Sequence, residues 1–258
     1  MAGIPPACER LLMQDPSPGP VDPGRTAFFF DLDGTLAPLA PTPGQARVPQ
    51  ATRAALAGLA RASGGAVAIV SGRTITEVDR LLAPLRLAAA GQHGAEVRDV
   101  DGALRRLPVD LARLDAMAES LEKLLALDPG LQLERKGMAL AMHYRNAPAL
   151  GGQVERAMRA ALAEAEGFAL QEGKMVYEIR PREATKGGAI RTLMGLPAFR
   201  GRMPLFAGDD LTDESGFAVV ESQDGVSIKI GAGPTLARRR LDSPRALAEW
   251  LCALPGVA

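Results

Sequence analysis

Short apolar runs alternate with segments of helical periodicity, and that alternation stops near residue 107 and resumes near residue 183. The first runs cover residues 27–32, 66–70 (AVAIV) and 87–97 (LAAAGQHGAEV). Runs this uniformly apolar predict strands buried on both faces. Strands separated by helices predict a parallel sheet covered on both sides. Pro49 suits the first turn of a helix through TRAALAGLARA, and ITEVDRLLAPL supplies the next. Asp101 and Gly102 mark a small hairpin.

Beyond residue 107 the pattern is different. Leu111, Leu114, Met117, Leu121, Leu124 and Leu125 recur at helical spacing. Two alternating segments, LQLERK and MALAMHYR, follow around Gly137. A second amphipathic helix carries Val154, Met158, Ala161 and Leu162. Two more strands, FALQE and MVYEIR, are split by Gly173 and Lys174. Helix-strand-strand, twice over, is an α+β unit in its own right. From Lys186 the first pattern returns as GGAIRTLMGL (helix), MPLFAGDD (strand), TDESGFAVV (helix), VSIKI (strand) and PRALAEWLCAL (helix). The expected organisation is therefore an α/β core of residues 26–106 and 183–258 with an inserted αββαββ cap at 107–182. Residues 1–25, rich in proline and glycine, form an irregular lead-in with a short helix around residues 9–13. The crossings near 105–110 and 180–184 would be hinges, stiffened by Pro108 and Pro181. Arg238, Arg239 and Arg240 read as a solvated helix face.

The formal net charge is zero, so nothing argues for nucleic acid or an anionic membrane as partner. No apolar stretch approaches the roughly 20 residues a membrane helix needs. No signal peptide is read at the N-terminus. Cys8 and Cys252 make no metal-binding spacing and suit free thiols in a reducing compartment. The expectation is a cytoplasmic monomer acting on a small molecule.

The chemistry sits where strands end. In a parallel α/β sheet, ligands bind beyond the carboxyl ends of the strands. The first strand delivers Asp31, Asp33 and Thr35, the second Ser71, and a late one Asp209 and Asp210, with Asp213 just inside the next helix. Lys186 opens the helix that re-enters the core. Singly these are bland: Asp-Gly is a common turn and acidic residues cap helices. Together they form a carboxylate cluster with one ammonium and the hydroxyls of Thr35 and Ser71. Such carboxylates do not stay ionised side by side without a cation, and all-oxygen ligands suit Mg²⁺ with a substrate phosphate in its shell. One carboxylate can accept a phosphoryl group while another, two residues on, shuttles a proton. Lys186 would offset phosphoryl charge, and Ser71 and Thr35 would hydrogen-bond its oxygens.

FFDLDGTL, IVSGR, the lysine of ATKGGAI and FAGDDLTDE resemble the four motifs of the haloacid dehalogenase (HAD) superfamily of phosphotransferases. The resemblance implies a HAD-like Rossmannoid core, with Asp31 as nucleophile and Asp33 as general acid/base. It implies that Ser71 and Lys186 bind the phosphoryl group. Asp31, Asp209 and the Asp33 backbone carbonyl would hold Mg²⁺, with Asp213 supporting them. A narrower resemblance, carried by SGR, GQHGAEVRD, LERKGMALAMHYRNAP and GKMVYEIRPREATKGGAI, is to bacterial trehalose-6-phosphate phosphatases. Position 92 is Gln where an acidic or other residue is more usual in that family. The resemblance implies a sugar phosphate substrate, trehalose 6-phosphate. It implies Glu134, Lys136, Lys174 and Glu178 as the sugar-binding set. Arg73 and Thr35 are further expected substrate contacts, and Arg145 reads as a contact with substrate or with the core–cap interface.

The cap has its own physical reading. Strand alternation puts Gln132, Glu134 and Lys136 on one face, and Lys174, Val176 and Glu178 on one face of a second pair. Each face offers one Lys and one Glu, able to donate to and accept from sugar hydroxyls. A solvated, salt-bridged sheet face accounts for the same residues when the cap is considered alone. His93 and His143 read as supporting rather than metal-binding, since no His/Cys set completes a site. Two other functions stay open on sequence alone: hydrolysis of a sucrose- or mannosyl-type phosphate, and a non-catalytic regulatory domain.

Overall fold

A computed structural model describes residues 18–163, 165–173 and 175–257. Cys8, the helix read at residues 9–13, and Lys174 lie outside the described residues.

The main sheet has eight strands: β1 (Thr26–Phe30), β2 (Val67–Val70), β3 (Ala88–Gly91), β4 (Glu96–Arg98), β5 (Leu104–Arg106), β10 (Met203–Gly208), β11 (Val226–Ile230) and β12 (Arg239–Leu241). Their spatial order is β12-β11-β10-β1-β2-β3-β4-β5. Pairing is parallel from β12 to β3 and antiparallel at β4 and β5. β1 and β2 are buried at every position, as their unbroken apolar sequences predict. Phe28 and Phe30 face the layer with α1 (Gln50–Ala62), α2 (Ile75–Leu82) and α7 (Pro244–Cys252). Phe29, stacked on Phe199, faces the layer with α5 (Lys186–Met194) and α6 (Glu214–Glu221). Burying a phenylalanine contributes about 1.5–3 kcal/mol, so this triplet anchors the middle of the sheet from both sides.

Between β5 and α5 the chain builds a second unit. Helix α3 (Leu111–Glu122), β6 (Gln132–Arg135), β7 (Leu140–His143), α4 (Gly151–Leu162), β8 (Phe168–Gly173) and β9 (Val176–Pro181) follow in the predicted αββαββ order. The four strands form an antiparallel sheet, β6-β7-β9-β8. Leu114, Met117, Leu121, Val154 and Met158 of its helices bury against Leu140, Met142, Tyr177 and Ile179 of its strands. The mixed α/β architecture with a separate antiparallel unit is the fold class expected.

Four details depart from the expectation. Pro49 stands one place before α1 as its N-cap, with an extended ψ of 148°. Leu111, at the first position of α3, is exposed, and Leu124 and Leu125 belong to a 3₁₀ turn beyond that helix. The first strand ends at Phe30, two residues short, though the Asp31 amide still donates to Ala207 at 2.9 Å. Arg239 and Arg240 lie in edge strand β12 rather than on a helix. Three like residues carry no periodicity of their own, so pairing with β11 decides. Charge on an edge strand also discourages pairing with other chains.

Candidate active site

The carboxyl ends of β1, β2 and β10 converge, and the loops leaving them carry the polar residues. After Phe30 the chain turns sharply: the Leu32 carbonyl accepts from both Leu36 (3.0 Å) and Ala37 (2.8 Å). Gly34 adopts φ +85°, and a Cβ there would come 2.1 Å from Asp209 Oδ2. The Asp-Gly pair is thus a turn and also a contact surface, because β10's carboxylate rests on that glycine.

Asp31, Asp213 and Lys186 form the buried centre. Lys186 Nζ donates to Asp31 Oδ1 and to Asp213 Oδ1, both at 2.6 Å. Lys186 opens α5 just after Thr185, whose hydroxyl accepts from Gly188 at 3.0 Å. A cation in the first turn of a helix opposes the helix dipole. Burial also works against its charge. Asp213 and Asp31 outweigh that desolvation and hold the ammonium's pKa above its ordinary value.

Asp213 is fully used. Its second oxygen accepts from the Asp209 and Asp210 amides, each at 2.9 Å. Gly208 permits this approach, since a Cβ there would fall 2.3 Å from the Asp213 Cγ. Asp210 caps the following turn through Leu211 at 2.7 Å. Asp209 instead joins Asp31 and accepts from Thr35 at 3.2 Å. Thr35 therefore braces Asp209.

One oxygen from each of Asp31, Asp209 and Asp213 falls within 4.8 Å of the others. Burial raises the Asp31 pKa well above the ordinary carboxylate range; Lys186 opposes this, and Asp213 and Asp209 add to it. Burial, then Asp213, pushes Asp209 up to about 6. Three carboxylates against the ammonium groups of Lys186 and Lys229 still leave an excess of negative charge in a desolvated place. The donors are all oxygens. This set fits a hard divalent cation.

Around that centre, Arg73 grips both oxygens of Asp33, Nε at 2.6 Å and Nη2 at 2.7 Å. Ser71 is buried, and its Oγ accepts from the Arg73 amide at 3.2 Å. From β6 and β9 of the four-stranded sheet come Glu134 and Glu178, and from the turn after β6 comes Lys136. Lys136 Nζ donates to Glu178 Oε2 at 3.2 Å and lies 3.9 Å from Glu134. Glu134 lies 2.9 Å from His143 Nε2, a hydrogen bond that lowers its pKa. Glu178 Oε1 is buried without a hydrogen bond among the described residues, 3.9 Å from His93 Nε2. Desolvation, with Lys186, Arg180 and Lys136 nearby, holds the His93 pKa well below its ordinary value. Arg145 donates to the Pro41 carbonyl at 3.1 Å.

A cleft of about 360 Å³ joins the two sets, with Asp31, Asp33 and Ser71 on one side and Glu134, Lys136 and Arg145 on the other. Glu178 sits beside it through its hydrogen bond to Lys136. A larger apolar cavity of about 590 Å³, between α1 and α7, shares no lining residue with this cleft and holds no carboxylate cluster. Sequence reasoning missed Lys229, a buried lysine whose ammonium donates to the Asp209 carbonyl. The signal was there: a lysine inside the apolar strand VSIKI needs a partner.

Comparison with known proteins agrees with this assembly. Residues 29–249 match the family model described as Trehalose-phosphatase. The chain is 46% identical over 227 residues to the trehalose-6-phosphate phosphatase of Escherichia coli K12, covering 87% of this chain and 85% of that one. Its fold is like that of the C. albicans trehalose-6-phosphate phosphatase C-terminal domain, with a TM-score of 0.78 and 24% identity over 91% of this chain and 93% of that one. It is also like a haloacid dehalogenase-like hydrolase from B. subtilis, with a TM-score of 0.63 and 16% identity over 88% and 99%. With its HAD-like core and separate antiparallel unit, the chain belongs to the trehalose-phosphatase family.

Proposed function

We propose that this chain is a Mg²⁺-dependent phosphatase that hydrolyses trehalose 6-phosphate to trehalose and phosphate. The observation that carries the reading is the buried Asp31–Lys186–Asp213 array beside Asp209, opening into a cleft whose far wall is polar. Asp31 attacks phosphorus: its oxygen forms the new O–P bond while the bond from phosphorus to the sugar oxygen breaks. Asp33 gives that oxygen its proton. Water then attacks the aspartyl-phosphate, its proton returns to Asp33, and the Asp31–phosphorus bond breaks. Lys186 and Ser71 hold the phosphoryl oxygens, and Arg73 orients Asp33. Asp31, Asp209 and the Asp33 carbonyl would hold Mg²⁺, with Asp213 orienting them. The metal would supply charge neutralisation at the phosphoryl oxygens.

Residues 107–182 act in this reading as a cap on a core of 26–106 and 183–258. Glu134, Lys136, Lys174 and Glu178, with Arg145 at the seam, bind the disaccharide. The Glu178 oxygen that makes no hydrogen bond among the described residues supports this, because a buried acceptor is costly until a donor meets it. The site is completed within one chain, which supports a monomer. Among the described residues no helix is long and apolar enough to cross a membrane. The exposed free thiol of Cys252 suits a reducing cytoplasm. The test is phosphate release from a panel of sugar phosphates, with Mg²⁺ and with EDTA, by wild type and Asp31→Asn. Preference for trehalose 6-phosphate, lost in EDTA and in the variant, is the expected result. Full activity of the variant would sink the mechanism, and preference for another sugar would sink the substrate.

A further inference from the structure

The core and the α+β unit are joined covalently at two crossings. A third attachment is not covalent. Gln92 follows β3 at φ +48°, a conformation that disfavours a side chain. It is nevertheless buried. Its Oε1 accepts from the Met138 amide at 3.1 Å, 46 positions away. That amide belongs to the tight turn between β6 and β7, where it also donates to the Lys136 carbonyl at 2.9 Å. The Met138 side chain is buried beside Ala95 of the core and Ala184 of the second crossing. On its own side, the Gln92 amide donates to the Arg73 carbonyl at 2.8 Å, and the His93 amide to the Ser71 carbonyl at 2.9 Å. Gln92 is thus bonded to the loop that carries Ser71 and Arg73. It is bonded equally to the turn that carries Lys136.

We propose that Gln92 is a positioning residue that sets where the sugar-facing strip of the cap rests above the phosphoryl site. The proposal rests on the function given above. Two crossings define a hinge axis and leave one rotation free; the Gln92–Met138 bond is buried, whereas the Arg145–Pro41 bond across the same seam is exposed, so the former is the stronger restraint. A side-chain acceptor is needed, because only it reaches the turn. Strained backbone at a buried polar residue is found where surrounding contacts over-determine it, and here those contacts lie on both units. Gln92 does not line the cleft, so its removal should weaken sugar binding while sparing chemistry on substrates that do not reach the cap.

The test begins with wild type on trehalose 6-phosphate; no turnover there would refute the proposed function and not this inference. Gln92→Gly removes the acceptor and relieves the positive φ. Losing one such hydrogen bond should lower kcat/KM for trehalose 6-phosphate by about tenfold, carried by KM, equivalent to about 1.4 kcal/mol. Turnover of 4-nitrophenyl phosphate should change by less than about twofold, and hydrogen exchange at the Met138 amide should quicken by about tenfold. Gln92→Glu keeps the acceptor and should stay within about threefold of wild type. Should the glycine variant fail to fold, Gln92→Asn tolerates the positive φ, falls one methylene short, and gives the same readouts. An unchanged KM for the sugar phosphate overturns the inference. Equal losses on both substrates, or a Glu variant as impaired as the Gly variant, overturn it as well.

Discussion

The two walls of the cleft are built on opposite electrostatic terms. On the core side, Asp31, Asp213 and Lys186 are buried, and each oxygen of Asp213 is held by nitrogen donors. On the cap side, Glu134 is half exposed, while Lys136 is mostly covered and Glu178 is buried. The core wall is stiff because desolvated charges tolerate one arrangement. On the cap wall solvent screens the Glu134 ion pairs, so that part is the more adjustable. In the proposed reading the reacting groups lie in the stiffer wall, and the half-exposed Glu134 of the other wall can change at smaller cost to the fold.

The sharpest way to break the comparison is at the proposed nucleophile. Asp31→Asn should lower phosphate release by about four orders of magnitude or more while the protein still folds, as circular dichroism would check. Next comes Lys186→Met, which leaves Asp31 and Asp213 buried without their cation. Urea unfolding should show a loss of about 3–5 kcal/mol, and a loss under 1 kcal/mol would mean the core wall is not stiff. On the cap, Glu178→Ala should raise KM for trehalose 6-phosphate by about 10- to 100-fold and leave 4-nitrophenyl phosphate turnover alone. The smallest effect belongs to Arg145→Ala, an exposed contact with the Pro41 carbonyl, where KM should move less than about fivefold.

Proton competition sharpens the comparison further. With the Asp209 pKa pushed up to about 6 in the metal-free protein, the folded state holds a proton there that the unfolded chain releases nearer 3.8. Without metal, stability should therefore fall as pH rises from about 4 through 6. A divalent cation should reverse the trend, since it replaces that proton, and its affinity should drop as pH falls below about 6. Thermal unfolding against pH, with and without Mg²⁺, reads both signs. A metal-free protein that gains stability across this range would contradict the crowded-carboxylate account.

Much of the molecule was legible because its signals are local. The αββαββ order followed from periodicity, and the strand ends named Asp31, Asp33, Ser71 and Asp209 because a parallel sheet binds at its carboxyl edge. Strand alternation placed Glu134 with Lys136, and Val176 with Glu178. What escaped depends on distant partners. The bond from the Thr35 hydroxyl to Asp209, 174 positions away, is one such feature. The edge strand β12 exists only because β11 is beside it. The Gln92–Met138 bond has no sequence signature, since a glutamine after a strand can point anywhere.

The place of β1 in the sheet also has a consequence for synthesis. β1 lies between β2 and β10, and β10 begins about 170 residues after β1 ends. At ribosomal speeds of about 5–20 residues per second, the strand TAFFF waits some 10–35 s for its second neighbour. Through that interval the most aromatic stretch of the chain has an open edge. The α+β unit, complete by residue 181, can finish folding first. The nascent chain thus carries a formed cap on an unfinished core, and the step most exposed to aggregation is the late arrival of β10.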